Sequence, residues 1–152
     1  MQDTQQQQAP AQVRIERRYP FAVDKVWRAW TEPQALSLWF GNSQPGAVTE
    51  AEINLQVGGR YRIVTRLPDG GTNEVSGEYQ QVLPHRRLVF TWAWRSTPER
   101  VSRVSIDFVA QDGGTALHFV HDQFFDEQAR INHERGWTTI FKQLDAALQD
   151  AL

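Results

Sequence analysis

The chain has 152 residues, a formal net charge of -2, six Trp, eight Phe, three Tyr and no Cys. That length supports one domain whose core needs no staples. Both charge signs are spread along the chain, which excludes the dense basic face that nucleic-acid binding requires, and the lack of cysteine excludes disulfides, Cys-ligated zinc and thiol chemistry and suits the cytoplasm.

Residues 1–12 are Gln-rich and end in Ala9-Pro10-Ala11, with neither the basic start nor the apolar run of a secretory signal. They are expected to form a disordered tail ahead of a single domain over 13–152. No stretch of about 18 apolar residues occurs, so no membrane span is expected. Lysine is found only at Lys25 and Lys142, and the many arginines point to fixed pairing with carboxylates.

The first element is a half-buried strand, Val13–Tyr19, with Val13, Ile15, Arg17 and Tyr19 on one face. Val23, Val26, Trp27 and Trp30 then recur at helical spacing, with Asp24 in the first turn. Thr31-Glu32-Pro33-Gln34 reads as a capping box that opens a second short helix through Leu36 to about Trp39. Gly41 and Pro45-Gly46 end it.

Six strand-like segments follow. Leu67-Pro68-Asp69-Gly70-Gly71 reverses the chain between Gly59–Arg66 and Asn73–Val82. Pairing Arg66 with Glu74 sets Arg62 opposite Glu78, Tyr61 opposite Tyr79 and Ile63 opposite Gly77. Leu88, Phe90, Trp92 and Trp94 alternate along a central strand and are assigned inward. Asp112-Gly113 is a type I′ signal that pairs Ala110 with Thr115, Phe108 with Leu117, Ile106 with Phe119 and Val104 with His121. On the opposite face it sets Asp107 against His118 and Arg103 against Asp122.

After Phe124-Phe125 the period becomes helical. Asp126 could cap a short turn and Asn132 the main helix, or one helix could run on from Glu127. Trp137, Ile140, Phe141, Leu144, Ala147, Leu148 and Ala151 form one apolar stripe. The layout is α+β: a curved antiparallel sheet of about seven strands, two short helices after the first strand, and a long C-terminal helix packed across the sheet.

Several blocks carry a family resemblance: Val26-Trp27-Arg28-Ala29-Trp30-Thr31-Glu32-Pro33, Trp39-Phe40-Gly41, Val57-Gly58-Gly59-Arg60-Tyr61, Gly77-Glu78-Tyr79, Arg87-Leu88-Val89-Phe90-Thr91-Trp92 and His133-Glu134-Arg135-Gly136-Trp137. In this order they resemble the activator of heat-shock protein 90 ATPase homologue family of the START-like (SRPBCC) helix-grip superfamily, over about Arg14 to Leu148. The resemblance implies a helix-grip fold. It implies either a carrier of a small hydrophobic molecule or a chaperone-ATPase activator in a stress response, and a third reading, a cyclase- or hydrolase-type enzyme, rests on His121 and the tyrosines Tyr61 and Tyr79.

The residues that would line a ligand cavity between sheet and last helix are Trp39, Tyr61, Tyr79, Phe90, Trp92, His121, Trp137 and Phe141. The same aromatics could equally be core. His121 points inward and could act as acid or base, though a histidine satisfied by backbone or water is the simpler reading and no catalytic residue is assigned. His133-Glu134 lacks the second histidine of a zinc helix, because Trp137 stands there. His118 and His121 fall on opposite strand faces, so no metal and no cofactor is expected. Gly58-Gly59 is a turn or bulge, and Gly136 suggests close approach of the helix to the sheet or to a ligand. The oligomeric state is not encoded legibly.

Overall fold

The computed structural model describes residues 11–41, 44–150 and 152. The tail expectation thus falls largely outside the described residues, as does Ala151, and Gln12 already pairs with Asp122 in the first strand. The elements are β1 (Gln12–Tyr19), α1 (Val23–Thr31), α2 (Pro33–Leu36), β2 (Val48–Ile53), β3 (Arg60–Arg66), β4 (Thr72–Leu83), β5 (Arg87–Trp94), β6 (Ser102–Gln111), β7 (Gly114–Asp122) and α3 (Glu127–Asp150). The sheet order is β1-β7-β6-β5-β4-β3-β2. Every neighbouring pair is antiparallel, so β2 to β7 form a meander and β1 closes on β7.

The β6–β7 hairpin has the expected register, residue for residue. Asp112 and Gly113 have φ of 52° and 81°, the two positive values that a type I′ turn demands. The β3–β4 register differs by two residues. Its loop is tight, with the Leu67 N–H bonded to Gly71 O at 2.8 Å and the Gly70 N–H to Leu67 O at 3.0 Å, so Arg66 pairs with Thr72 and Tyr61 with Gly77. A two-residue shift keeps every side chain on its expected face. Arg62 therefore reaches Glu74 at 2.9 Å, while Glu78 is opposite Arg60.

Gly77 has a steric role in this register. A Cβ there would overlap the Thr91 carbonyl and stand 2.8 Å from the Tyr61 ring. Its absence lets the Tyr61 hydroxyl cross to donate to Thr91 O at 2.5 Å. Between Tyr79 and Gln81 the β4–β5 register then shifts by a bulge, which increases local twist and bends the strand.

Two local expectations are corrected. Thr31 does not cap α2; it ends α1 and donates to Trp27 O at 2.9 Å. Pro33 takes the start of α2, where its missing N–H needs no partner, Glu32 makes no side-chain cap there, and the helix ends at Leu36 with the Ser37 hydroxyl donating to Pro33 O at 2.7 Å. His118 stands opposite Asp107 in the register, but its side chain pairs elsewhere. Its Nδ1 is 3.4 Å from Glu16 on β1, and Asp107 accepts two bonds from Arg87 at 2.8 and 2.9 Å, because each is nearer to the neighbouring strand's charge.

The last helix is continuous. Asp126 accepts the Ala129 N–H at 2.8 Å as its N-terminal cap, and Arg130 bonds Glu127 and Glu134 at 2.9 and 2.7 Å. Trp137, Phe141, Leu144, Ala147 and Leu148 are its buried face. Its far half is tied to β1, where the Tyr19 hydroxyl donates to Asp145 at 2.6 Å and Arg17 lies over Phe141.

Candidate functional site

Between the sheet and α3 the walls converge on a void of about 20 Å³. It is lined by Trp30 from α1, Leu36, Trp39 and Phe40 from the α2 region, Ile53, Tyr61, Ile63, Tyr79, Phe90 and Trp92 from the sheet, and Trp137 from α3. The alternation of β3 and β5 puts Tyr61, Ile63, Phe90 and Trp92 on this face. The helical period puts Trp30 and Trp137 there as well. No lining residue carries a charge. Burial raises the pKa of both Tyr61 and Tyr79, which holds their hydroxyls neutral.

Six of the eight candidate residues, namely Trp39, Tyr61, Tyr79, Phe90, Trp92 and Trp137, line this void. His121 and Phe141 stand behind the wall. Phe141 packs on Phe119 with ring centroids 5.2 Å apart. His121 is completely buried, with both ring nitrogens engaged. Trp137 Nε1 donates to Nδ1 at 2.9 Å, which makes Nδ1 an acceptor and leaves the proton on Nε2. Nε2 then donates to Ser102 Oγ at 2.7 Å, and Ser102 donates to Trp92 O at 3.2 Å. This relay joins α3 to β5, β6 and β7 and leaves no free nitrogen for acid–base work.

His133 lies edge-on to His121, with ring centroids 5.0 Å apart. Its Nδ1 donates to Ala129 O at 2.7 Å and its Nε2 accepts from Trp94 Nε1 at 3.0 Å. Burial lowers the pKa of both histidines, with His133 adding a smaller charge repulsion at His121. Among the described residues no group of three or more His, Cys, Asp or Glu is placed to hold a metal ion.

On the outer side of Trp92 and Trp137 lies a cleft of about 200 Å³, floored by Trp94, Ile140 and His133 and edged by Gly136. A Cβ on Gly136 would meet nothing within 4 Å. The expected close approach is therefore absent, and the glycine widens the cleft. Gly136→Ala is expected to stabilise the fold by about 0.5–1 kcal/mol by removing a helix-interior glycine. A thermal melt checks this, and a loss of stability would mean the helix needs the bare backbone there.

Residues 20–149 match the family described as Activator of Hsp90 ATPase homolog 1-like protein. The chain belongs to this family. Among solved structures, a protein from Chromobacterium violaceum superposes with a TM-score of 0.80 at 25% identity, covering 91% of this chain and 98% of that one. The AHSA1 protein from Silicibacter pomeroyi superposes at 0.78 with 24% identity, covering 91% and 98%. DynU16, described as a putative protein in the dynemicin biosynthetic locus, superposes at 0.75 with 22% identity, covering 93% of this chain and 48% of that one. No curated protein matches the chain significantly. The fold is the helix-grip, START-like arrangement expected from the sequence.

For this member of the family, the void places several residues that the sequence did not mark as lining: Trp30, Leu36, Phe40, Ile53 and Ile63. Trp30 was legible as part of the apolar face of α1. What the sequence hid was that α1 crosses the same space as α3, which the ring contact between Trp30 and Trp137 at 6.2 Å records.

Proposed function

We propose that this family member binds a small hydrophobic or aromatic molecule between the sheet and α3, in contact with Trp39, Tyr61, Tyr79, Phe90, Trp92 and Trp137, with His121 and Phe141 supporting that wall. The observation that carries the reading is the convergence of uncharged, mostly aromatic side chains from four regions of the chain on one void. Small-molecule sites are lined in this way, although they enclose about 300–1,000 Å³. The unliganded space is much smaller, so binding requires a wall to move. Trp92 and Trp137 are the natural wall, because they face the void on one side and the 200 Å³ cleft on the other.

The cytoplasm is the proposed compartment. Among the described residues no helix is long and apolar enough to cross a membrane. Native mass spectrometry of protein recovered from cell extract, followed by thermal-shift measurements on the extracted compounds, tests the reading. An apolar molecule bound at one per chain that raises the melting temperature is expected. Protein that stays empty and is unmoved by every compound would end it.

The family description favours a second reading, activation of a heat-shock protein 90 ATPase in a stress response. Adding saturating protein to the purified chaperone and measuring ATP turnover decides it, and an unchanged rate removes it.

A further inference from the structure

Four indoles line the void and a fifth, Trp94, floors the cleft behind it, and their N–H groups divide into two sets. Trp39 Nε1 donates to Ala29 O at 3.0 Å, Trp137 Nε1 to His121 and Trp94 Nε1 to His133. Trp30 Nε1 and Trp92 Nε1 are buried and have no hydrogen-bond partner among the described residues. The surroundings of these two are rings. Trp30 packs against Trp39, Phe119, Trp137 and Phe141, and Trp92 against Phe40, His121 and Trp137, among others. Both belong to the lining of the void.

A buried donor left unpaired is a standing cost that folding normally avoids. Two such donors belong to the lining of one small, mostly apolar space, Trp30 from α1 and Trp92 from the sheet, where the hydrogen-bonding side-chain groups besides the indoles are the Tyr61 and Tyr79 hydroxyls. Tyr61 adds no free donor, since its hydroxyl is spent on Thr91 O, and the Tyr79 hydroxyl, kept neutral by burial, is a further group of the lining that can donate or accept. The lining also has no charged side chain to neutralise an ion, and an unpaired charge moved into such a space is strongly disfavoured.

We infer that the molecule held between sheet and α3 is an uncharged, flat, mainly apolar compound bearing a hydrogen-bond acceptor such as a ketone oxygen, which the indole N–H groups of Trp30 and Trp92 receive. This rests on the binding reading above and narrows it to a ligand class. The alternative occupant is a single water, which a void of this size admits.

The test uses three probes of one shape on the full chain labelled with ¹⁵N at its tryptophans: 1-indanone with a ketone acceptor, indane without one, and indane-1-carboxylate with a charge. Indanone is expected to bind about tenfold more tightly than indane. It should move the Nε1–H resonances of Trp30 and Trp92 downfield while those of Trp39 and Trp94 stay in place, and the carboxylate should not bind. Trp30→Phe and Trp92→Phe, which keep a ring but remove the donor, assign the resonances and should each lower the ratio of indanone to indane affinity, the ratio cancelling what the added space does to both probes.

Equal binding of indane and indanone, as with a permanently resident water, would overturn the acceptor inference and leave hydrophobic binding standing. So would tight binding of the carboxylate, or a preference unchanged in both variants. Binding by none of the three would overturn the inference, while the extract measurements above decide hydrophobic binding by themselves. Because the resonance shifts are read on the unaltered chain, a variant that fails to fold does not remove the test.

Discussion

Replacing Trp137 with alanine is expected to lower the unfolding free energy by about 3–5 kcal/mol, the range for deleting a large buried aromatic side chain. Trp137 is 2% exposed. Its ring is 4.6 Å from Phe119, 5.1 Å from Trp92 and 6.2 Å from both Trp30 and Phe40, centroid to centroid, so it touches three elements besides its own. Two physical terms separate in a pair of variants. Trp137→Phe keeps most of the ring but leaves the buried His121 Nδ1 without its donor, at a cost of about 1–3 kcal/mol. Trp137→Ala adds the loss of packing and joins the 20 Å³ void to the 200 Å³ cleft. Urea unfolding should therefore order the chains wild type, Trp137→Phe, Trp137→Ala. Added indole should restore part of the loss only in the alanine variant, by occupying the space left. Equal stability of the phenylalanine variant and the wild type would show that the bond to His121 contributes nothing.

The two β-hairpins show what local chemistry can and cannot encode. Asp112-Gly113 allows one turn geometry, and a two-residue turn fixes every pair beyond it, so the β6–β7 register followed from the sequence. The five-residue segment Leu67–Gly71 allows several loop lengths. Face segregation excludes odd slips but not even ones, and the choice was made by backbone bonds across the loop and by the missing Cβ of Gly77. The same limit applied at His118, where the pairing partner was read from one hairpin while the charge that claimed it came from β1. At the site, the inward direction of Trp92 and His121 was visible from alternation. The division of the indoles into donors with and without partners was not, because it depends on which carbonyl or imidazole nitrogen stands across the core. The size of the void was equally out of reach, since it is the small difference between a large wall area and an almost equal packing volume.

Acidification is expected to destabilise the protein between about pH 6.5 and 5, before its carboxylates titrate. His121 has a pKa well below the ordinary 6.5, chiefly because burial penalises its charged form. In the unfolded chain it regains the ordinary value, so below pH 6.5 the unfolded state binds a proton that the folded state does not, and stability falls as pH falls. One such group costs about 1.4 kcal/mol per pH unit between its unfolded and its folded pKa. His133 acts in the same direction, with a smaller contribution because it is partly open to solvent. The groups facing His121 give an added proton no anion to pair with: Ser102 lies on one side, Trp92 and Trp137 on others, and His133 is the nearest titratable side chain. Glu74, whose pKa the bond from Arg62 lowers, contributes stability that is lost only below about pH 4.5, outside this window. Urea melts at pH 7.5, 6.5, 5.5 and 5.0 measure the slope, and His121→Gln, which cannot titrate, should flatten most of it. A stability that stays level from pH 7.5 to 5 would mean that His121 is protonated in the fold after all, and the neutral relay from Trp137 through His121 to Ser102 would have to be abandoned.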